Sequence, residues 1–201
     1  MYIKNRDREI LKFIEKYKSI TINICAKIFY KDNKEAYQQA RKRLRLLYKN
    51  KYLKRYRKDC TTEVIYYMHK KLSVHDLKVL DVLAELIYNN ANIREFKREY
   101  TINTERSNYR ADAFIEFTLK NYLYFLLIEV DHTHYTSFQK LQDIYDSNYF
   151  QNKYSKYGDN IFPTILILKR IVLDRKFYSS NFKIIELEYT QLHTLIKELE
   201  K

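Results

Sequence analysis

The stretch RADAFIEFTLKNYLYFLLIEVD, residues 110–131, decides the fold because it contains two strands and the turn between them. In its first half, Ala113, Ile115 and Phe117 recur at every second position, which is typical of a β-strand. The second half, from Asn121 onward, is more continuously apolar and predicts a more deeply buried strand. The turn between the halves is short enough for a hairpin, so we expect the two strands to be neighbours.

Helices and further strands surround this hairpin. In chain order we predict a helix at 72–89, a strand at 92–101, the hairpin, a helix at 137–156, strands at 162–171 and 182–189, and a helix at 190–201. The first of these helices has Ser73 as its N-cap and Asp76 three residues later, as in a capping box. The order helix, three strands, helix, strand predicts an α/β domain in residues 72–201.

Positive charge separates the first third of the chain from the rest. Residues 1–71 contain 21 Lys and Arg against 7 Asp and Glu, whereas residues 72–201 contain 17 against 18. The net charge of +13 therefore lies almost entirely in the first third. This asymmetry favours a basic nucleic-acid-binding domain joined to a near-neutral one, although a basic protein without a polyanionic partner would have the same total charge.

The elements predicted in residues 1–71 match this interpretation. A helix begins with Asn5 or Asp7 as its cap, a second helix follows the N-cap Thr21, and a third helix covers 34–50. Alternation in 52–56 and 64–68 then predicts two strands around a polar turn. This order is that of a winged helix-turn-helix, so the predicted fold class is α+β, a winged helix-turn-helix at 1–71 followed by the α/β domain.

The third helix and the hairpin supply the candidate DNA-binding residues. Small and apolar residues (Ala36, Ala40, Leu44 and Leu47) form one stripe of the helix. The opposite face and the hairpin carry basic and amide side chains: Lys34, Gln38, Arg41, Lys42, Arg45, Lys49, Lys54, Arg55, Arg57 and Lys58. We expect the helix to enter a major groove and the hairpin to contact phosphates or the minor groove. The alternative interpretation is a solvated charged face.

The second domain resembles the PD-(D/E)xK nuclease fold in its element order. In that fold an Asp on the second strand and a Glu on the third bind Mg²⁺ or a similar cation, for which Asp112 and Glu129 occupy the matching positions. Asp131 stands where the motif has Lys, and Lys140 on the following helix is the candidate for a migrated lysine. The resemblance implies catalytic residues Asp112, Glu129, Asp131 and Lys140, with the three carboxylates as ligands of Mg²⁺ or Mn²⁺.

A narrower resemblance is to the replication-relaxation protein family of plasmids and other mobile elements. Three stretches of the chain are similar to that family: LSVHDLKVLDVLAEL, RADAFIEF and FLLIEVDHTHYTSFQKLQDIY. The chain differs from the family at Ala111, where the family has Pro. The resemblance implies a protein of plasmid replication, relaxation or transfer that joins a winged helix to a nuclease-like domain and binds double-stranded DNA. Nicking of that DNA with a metal ion is one of two expectations for the second domain. The alternative is a non-enzymatic regulator or accessory factor whose second domain dimerises or recruits a partner. Expected partners are DNA, a second copy of the chain, and replication or transfer proteins.

A histidine–tyrosine pattern and two cysteines are further candidates for a functional site. His132 and His134, with Tyr145 and Tyr149, resemble the histidine pair and tyrosines of rolling-circle replication enzymes, with Thr133 in place of their hydrophobic residue. The two cysteines are too few for a disulfide framework or a four-cysteine zinc site, and Cys25 and Cys60 are expected in the core and in a turn. No apolar run reaches about 18 residues and no signal-peptide core is present, so we expect a cytoplasmic protein without a membrane span.

Overall fold

The computed structural model describes residues 2–58, 62–104, 107–132, 135–171 and 177–201. The described chain is α+β and divides into two compact units, Met1–Tyr88 and Asn89–Lys201. The predicted positions of Cys60 and His134 lie outside the described residues. No helix of the described ranges is long and apolar enough to cross a membrane.

The first unit contains four helices and a three-stranded sheet. Its elements are α1 (Asn5–Tyr17), β1 (Ser19–Thr21), α2 (Ile22–Phe29), α3 (Ala36–Lys49), β2 (Lys54–Tyr56), β3 (Ile65–Tyr67) and α4 (Val74–Tyr88). The sheet is antiparallel in the order β1-β3-β2. Buried side chains of α1, α2 and α3, among them Ile14, Ile24 and Leu44, form the core.

Local side chains determine where these helices begin. The Thr21 hydroxyl accepts a hydrogen bond from Ile24 N at 3.1 Å, which confirms Thr21 as the N-cap of α2. Ser73 and Asp76 form the predicted reciprocal cap of α4. The cap predicted for α1 is wrong, because Lys4 is its N-cap and the Asp7 carboxylate reaches back to Lys4 N at 2.6 Å from the third helical position.

Helix α4 belongs to the first unit by its contacts. We predicted a boundary between residues 71 and 72 from the change in charge, whereas the compact units divide after Tyr88. The reason is that α4 packs on α2, where Lys27 forms a 2.5 Å ion pair with the buried Glu85. Charge composition reflects mainly the exposed surface. It therefore does not indicate to which unit a helix belongs when buried contacts hold that helix in place.

The second unit is built on a five-stranded mixed sheet. Its elements are β4 (Asn92–Asn103), β5 (Asn108–Leu119), β6 (Tyr122–Asp131), α5 (Phe138–Asp146), α6 (Tyr149–Lys153), β7 (Thr164–Lys169), β8 (Ile184–Glu188) and α7 (Leu195–Leu199). The strand order is β4-β5-β6-β7-β8. The first three strands are antiparallel, and β6, β7 and β8 are parallel. Aromatic and aliphatic residues of α5, α6 and one sheet face, including Phe114, Leu127 and Phe150, form a continuous core.

The hairpin of residues 110–131 forms as predicted. Lys120 and Asn121 connect β5 to β6 with φ values of 49° and 68°, the left-handed backbone that a two-residue hairpin turn needs. The predicted helix at 137–156 is instead α5 and α6, because Asn148 has a left-handed backbone with φ 56° that ends the first helix. A short 3-10 turn at Ser155–Tyr157 follows α6.

Candidate functional site

Asp112 and Glu129 lie side by side at one edge of the sheet. The register of β5 and β6 pairs Ala113 with Ile128, so the next position along the ladder brings Asp112 next to Glu129 on the same face. The half-buried Asp112 carboxylate accepts a hydrogen bond from Val130 N at 2.7 Å. The hairpin therefore brings together the first two residues of the predicted site, as its topology requires.

Lys140 completes a contact between α5 and this edge. Its ammonium Nζ donates to Glu129 Oε1 at 2.7 Å and to the carbonyl oxygen of Arg110 at 2.8 Å. Glu129 is only 6% exposed, and this burial raises its carboxyl pKa to about 7. The Lys140 charge lowers that pKa, while the charges of Asp112 and Asp131 raise it further. Four predicted site residues are thus close enough to influence one another electrostatically.

Only one of the two carboxylate oxygens of Asp131 accepts hydrogen bonds from the described residues. It is 5% exposed, and its Oδ1 accepts hydrogen bonds from Thr136 N at 2.9 Å and from the Thr136 hydroxyl at 2.7 Å. Its other oxygen, Oδ2, is buried and accepts no hydrogen bond from any described residue. The Tyr189 hydroxyl donates to the Asp131 carbonyl oxygen at 3.0 Å. Asp131 therefore lies in the site with one carboxylate oxygen available to a ligand.

A second lysine lies beside Asp131. In the parallel ladder of β6 and β7, Asp131 pairs with Lys169, and both residues are buried. The Lys169 ammonium forms an ion pair with Glu186 on β8, whose Oε1 accepts from Phe177 N at 2.6 Å. The predicted site residues did not include this pair. The available signal is a charged residue within each apolar strand, Lys169 in TILILK and Glu186 in IIELE, but strand pairing is needed to bring them to Asp131.

The carboxylates of this edge are oxygen donors, the ligand type of hard divalent cations. Carboxylate oxygens of Asp112, Glu129 and Asp131 are the ligands that Mg²⁺ and Mn²⁺ prefer, and the unpaired Oδ2 of Asp131 leaves one buried oxygen without a hydrogen bond. Among the described residues no three His, Cys, Asp or Glu side chains are arranged to hold a metal ion together. Mg²⁺ is usually bound through about one or two carboxylates and keeps several waters, so a smaller donor set is sufficient.

The basic residues predicted on α3 are exposed on one face of the helix. Ala40, Leu44 and Leu47 are buried, whereas the six predicted contact residues are exposed. Ala36, predicted to be an inner residue, is only partly buried at the start of the helix. A shallow depression of this face is lined by Gln38, Arg41, Lys42, Arg45, Leu46 and Lys49. Lys34 precedes the helix and is exposed there.

The hairpin residues continue this basic surface. Lys54, Arg55, Arg57 and Lys58 are all exposed. The Arg55 guanidinium lies 4.3 Å from the centre of the Tyr48 ring, and this cation–π contact joins β2 to the end of α3. The predicted contact residues therefore lie on exposed surface of α3 and of the adjoining hairpin.

Arg43 differs from the other arginines of α3. It is partly buried and forms a two-bonded ion pair with the fully buried Asp7 of α1. This pair holds α1 against α3. Arg43 was not among the predicted DNA contacts, and it is partly buried whereas Arg41 and Arg45 are exposed.

The described residues of the histidine and tyrosine pattern each contact other side chains. His132 is exposed and lies beside the Tyr189 ring, with 6.5 Å between ring centres. Tyr145 packs against Phe162 and Phe182 in the core, and the Tyr149 hydroxyl is 3.2 Å from that of Tyr100. Both tyrosines thus have structural contacts within the second unit.

The fold and the site define a two-unit α+β protein with a basic helix–hairpin surface and a separate carboxylate–lysine edge. No protein-family model, curated protein or solved structure matches the chain.

Proposed function

We propose that the chain is a DNA-binding protein that nicks DNA with Mg²⁺ or Mn²⁺. Its first unit acts as a winged helix-turn-helix and its second as a PD-(D/E)xK-like nuclease domain. The observation that carries the nuclease proposal is the Lys140 ammonium 2.7 Å from Glu129, with Asp112 on the adjacent strand. An Asp, a Glu and a Lys at one sheet edge are the groups expected from the resemblance to the PD-(D/E)xK fold, in which a bound metal activates water.

The DNA-binding proposal is supported by the first unit. The order helix, strand, helix, helix, strand, strand in residues 5–67 and the sheet order β1-β3-β2 accord with a winged helix. Exposed Lys and Arg on α3 and on β2 would neutralise phosphates, and the amide of Gln38 can read a base edge.

Each residue of the carboxylate edge has a distinct proposed role. A divalent cation bound through one or two of the carboxylates of Asp112, Glu129 and Asp131 would supply an activated water and stabilise charge on the scissile phosphate. Lys140, whose ammonium donates to Glu129 in the structure, would supply the positive charge that stabilises a phosphate oxygen. A bound cation would favour the ionised form of Glu129, whose pKa burial raises to about 7.

The proposed biological setting is a plasmid or other mobile element, in replication, relaxation or transfer. It follows from the resemblance of the stretches around His75, Asp112, Glu129 and Lys140 to the replication-relaxation family. A cytoplasmic location and replication or transfer proteins as partners belong to this proposal.

The nuclease proposal is tested on supercoiled plasmid with Mg²⁺ or Mn²⁺. We expect wild type to convert it to the open-circular form, and Glu129→Ala and Lys140→Ala to be slower by about a hundredfold or more. Lys156→Ala, which removes an exposed lysine of the same unit, is the matched control and should retain wild-type activity. Absence of metal-dependent nicking by wild type would refute the enzymatic role on this substrate.

A non-enzymatic regulator or accessory factor is the second candidate function. It is favoured by Asp131 at the position of the motif lysine, and by the use of Asp131 Oδ1 to hold Thr136. In that case wild type binds duplex DNA without nicking it and forms a homodimer through the second unit. Light scattering of Glu129→Ala and wild type would then give the same dimer mass.

A further inference from the structure

Two nearly fully exposed tyrosines lie on the loops that follow the carboxylate edge. Tyr135 is 80% exposed and Tyr178 is 84% exposed. Most of each aromatic ring is therefore in contact with solvent and does not pack against the hydrophobic core. The abundance of Tyr in this chain explains why exposed tyrosines occur. It does not explain why the backbone beside each of these two tyrosines is hydrogen-bonded to a carboxylate.

Both tyrosines are one residue away from a backbone amide bonded to a buried carboxylate. Thr136 N donates to Asp131 Oδ1 at 2.9 Å, and Phe177 N donates to Glu186 Oε1 at 2.6 Å. Consecutive Cα atoms are about 3.8 Å apart, so the backbones of Tyr135 and Tyr178 are pinned beside these carboxylates.

The two anchors belong to one edge of the sheet. Asp131 ends β6 and pairs with Lys169 of β7, and Lys169 forms an ion pair with Glu186 of β8. β6 and β8 are two strand spacings apart, roughly 10 Å. The two rings therefore start from the same carboxyl edge, within the span of a few nucleotides, and next to the site proposed to cut.

Two basic side chains lie among the carboxylates of this edge. Lys140 contacts Glu129, and the exposed Arg170 follows Lys169 directly. Basic side chains with interleaved aromatic rings are the combination that binds single-stranded nucleic acid, since the cations take phosphates and the rings stack on bases. A paired base inside a duplex has no free face for such a ring.

We propose that Tyr135 and Tyr178 are stacking platforms for unpaired bases, so that the carboxylate edge takes single-stranded or locally opened DNA. This inference rests on the proposed function and narrows its substrate class. It assigns the duplex to the basic face of the first unit and the unpaired strand to the second.

The test measures binding of a labelled dT 16-mer and of an abasic 16-mer of equal charge by fluorescence anisotropy of the full chain. Stacking of one base is worth about 5- to 150-fold in affinity. We expect wild type to prefer dT over the abasic strand by at least about tenfold, and Tyr135→Ala with Tyr178→Ala to remove that preference. Tyr135→Phe with Tyr178→Phe retains both rings and should retain the preference.

Tyr122→Ala is the matched control, because Tyr122 is 71% exposed and lies at the opposite end of β6 from Asp131. Its preference for dT should equal that of wild type. Equal affinity of wild type for dT and abasic strands would overturn the proposal, as would an unchanged preference in the double alanine variant. Tighter binding of an rU 16-mer than of dT would overturn DNA as the ligand.

Two further outcomes separate this inference from its alternatives. If the tyrosines instead cover a second copy of the chain, the double alanine variant changes mass in light scattering while its dT preference stays, which overturns base stacking. Nicking of supercoiled plasmid by a wild type without dT preference would retain the proposed function and refute only this inference.

Discussion

Glu129 combines burial with three charged neighbours. Burial and the carboxylates of Asp112 and Asp131 favour its neutral form, while Lys140 favours the ionised form. Burial has the largest effect, so the pKa of Glu129 lies near 7 although an ammonium group is 2.7 Å away. The sequence places Glu129 at the end of an apolar strand, but the balance of these effects depends on what covers it.

The raised pKa of Glu129 predicts a pH-dependent stability. The folded state holds this proton up to a pH near 7, whereas the unfolded chain releases it near the ordinary value of 4.5. Stability therefore falls as pH rises between these values, by at most about 3 kcal/mol. Glu129→Gln should remove this slope in urea unfolding at pH 5 and pH 7.5, and Glu9→Gln, at an exposed position, should retain it. Parallel pH profiles of wild type and Glu129→Gln would contradict the assignment.

The Asp7–Arg43 pair predicts a large local effect on stability. Burial raises the pKa of Asp7, but the hydrogen bonds from Arg43 and from Lys4 N outweigh it and hold the pKa below its usual value. Asp7→Ala leaves the Arg43 guanidinium without this partner and should lower the free energy of unfolding by about 3 kcal/mol.

Chemical denaturation measures this loss. Asp32→Ala, which removes an exposed carboxylate of the same unit, should change stability by less than about 0.5 kcal/mol. Asp7→Ala combined with Arg43→Met should recover part of the loss, because no buried charge is then left unpaired. A loss of stability no larger than that of Asp32→Ala would mean that the Asp7–Arg43 pair contributes little to the free energy of unfolding.

At the scale of elements, α3 is the clearest link between sequence and surface. Its apolar stripe predicted Ala40, Leu44 and Leu47 inside, and all three are buried. The residues on its opposite face are exposed as predicted. Helical periodicity is a property of the local sequence, and this face could therefore be predicted without tertiary contacts.

The proposed role of α3 predicts a change in salt dependence. Arg41, Lys42 and Arg45 changed together to Ala should reduce the slope of log affinity against log salt by about two to three, since about three phosphate contacts are lost. Anisotropy of a labelled duplex at several salt concentrations measures the slope.

The matched control changes Lys156, Lys197 and Lys201 to Ala, which removes the same charge from exposed positions of the second unit. Its slope should stay close to that of wild type. If both triple variants lose the same amount, binding depends on total charge and α3 is not the contact surface.

Other elements were harder to predict. β1 is three residues long, too short for any alternation, and it forms because β3 pairs with it. The end of α5 depends on the left-handed backbone of Asn148, in a segment whose apolar spacing continues through Tyr149. In both cases a backbone conformation or a distant strand outweighs the local pattern.

At the scale of the molecule, each unit has its own buried residues. Leu44 of the first unit and Phe150 of the second are both completely buried. Leu44→Ala and Phe150→Ala should each lower stability by about 3 kcal/mol or more. Hydrogen exchange should rise mainly in the unit that carries the change. An equal rise across residues 1–88 and 89–201 would instead indicate a single cooperative unit.

The sequence by itself determined the local features of this protein. These are the strand alternation of 110–117, the hairpin to 131, the caps at Thr21 and Ser73, and the concentration of positive charge before residue 72. Each depends on side chains a few positions apart, so the linear pattern contains it.

Only the tertiary structure decided which polar groups meet. It pairs Lys140 with Glu129 from a separate helix and brings Lys169 of β7 beside Asp131, and it groups α4 with the first unit. The physical reason is that the burial of a charge, and the partner that compensates it, depend on strand order and helix packing between residues far apart in the chain.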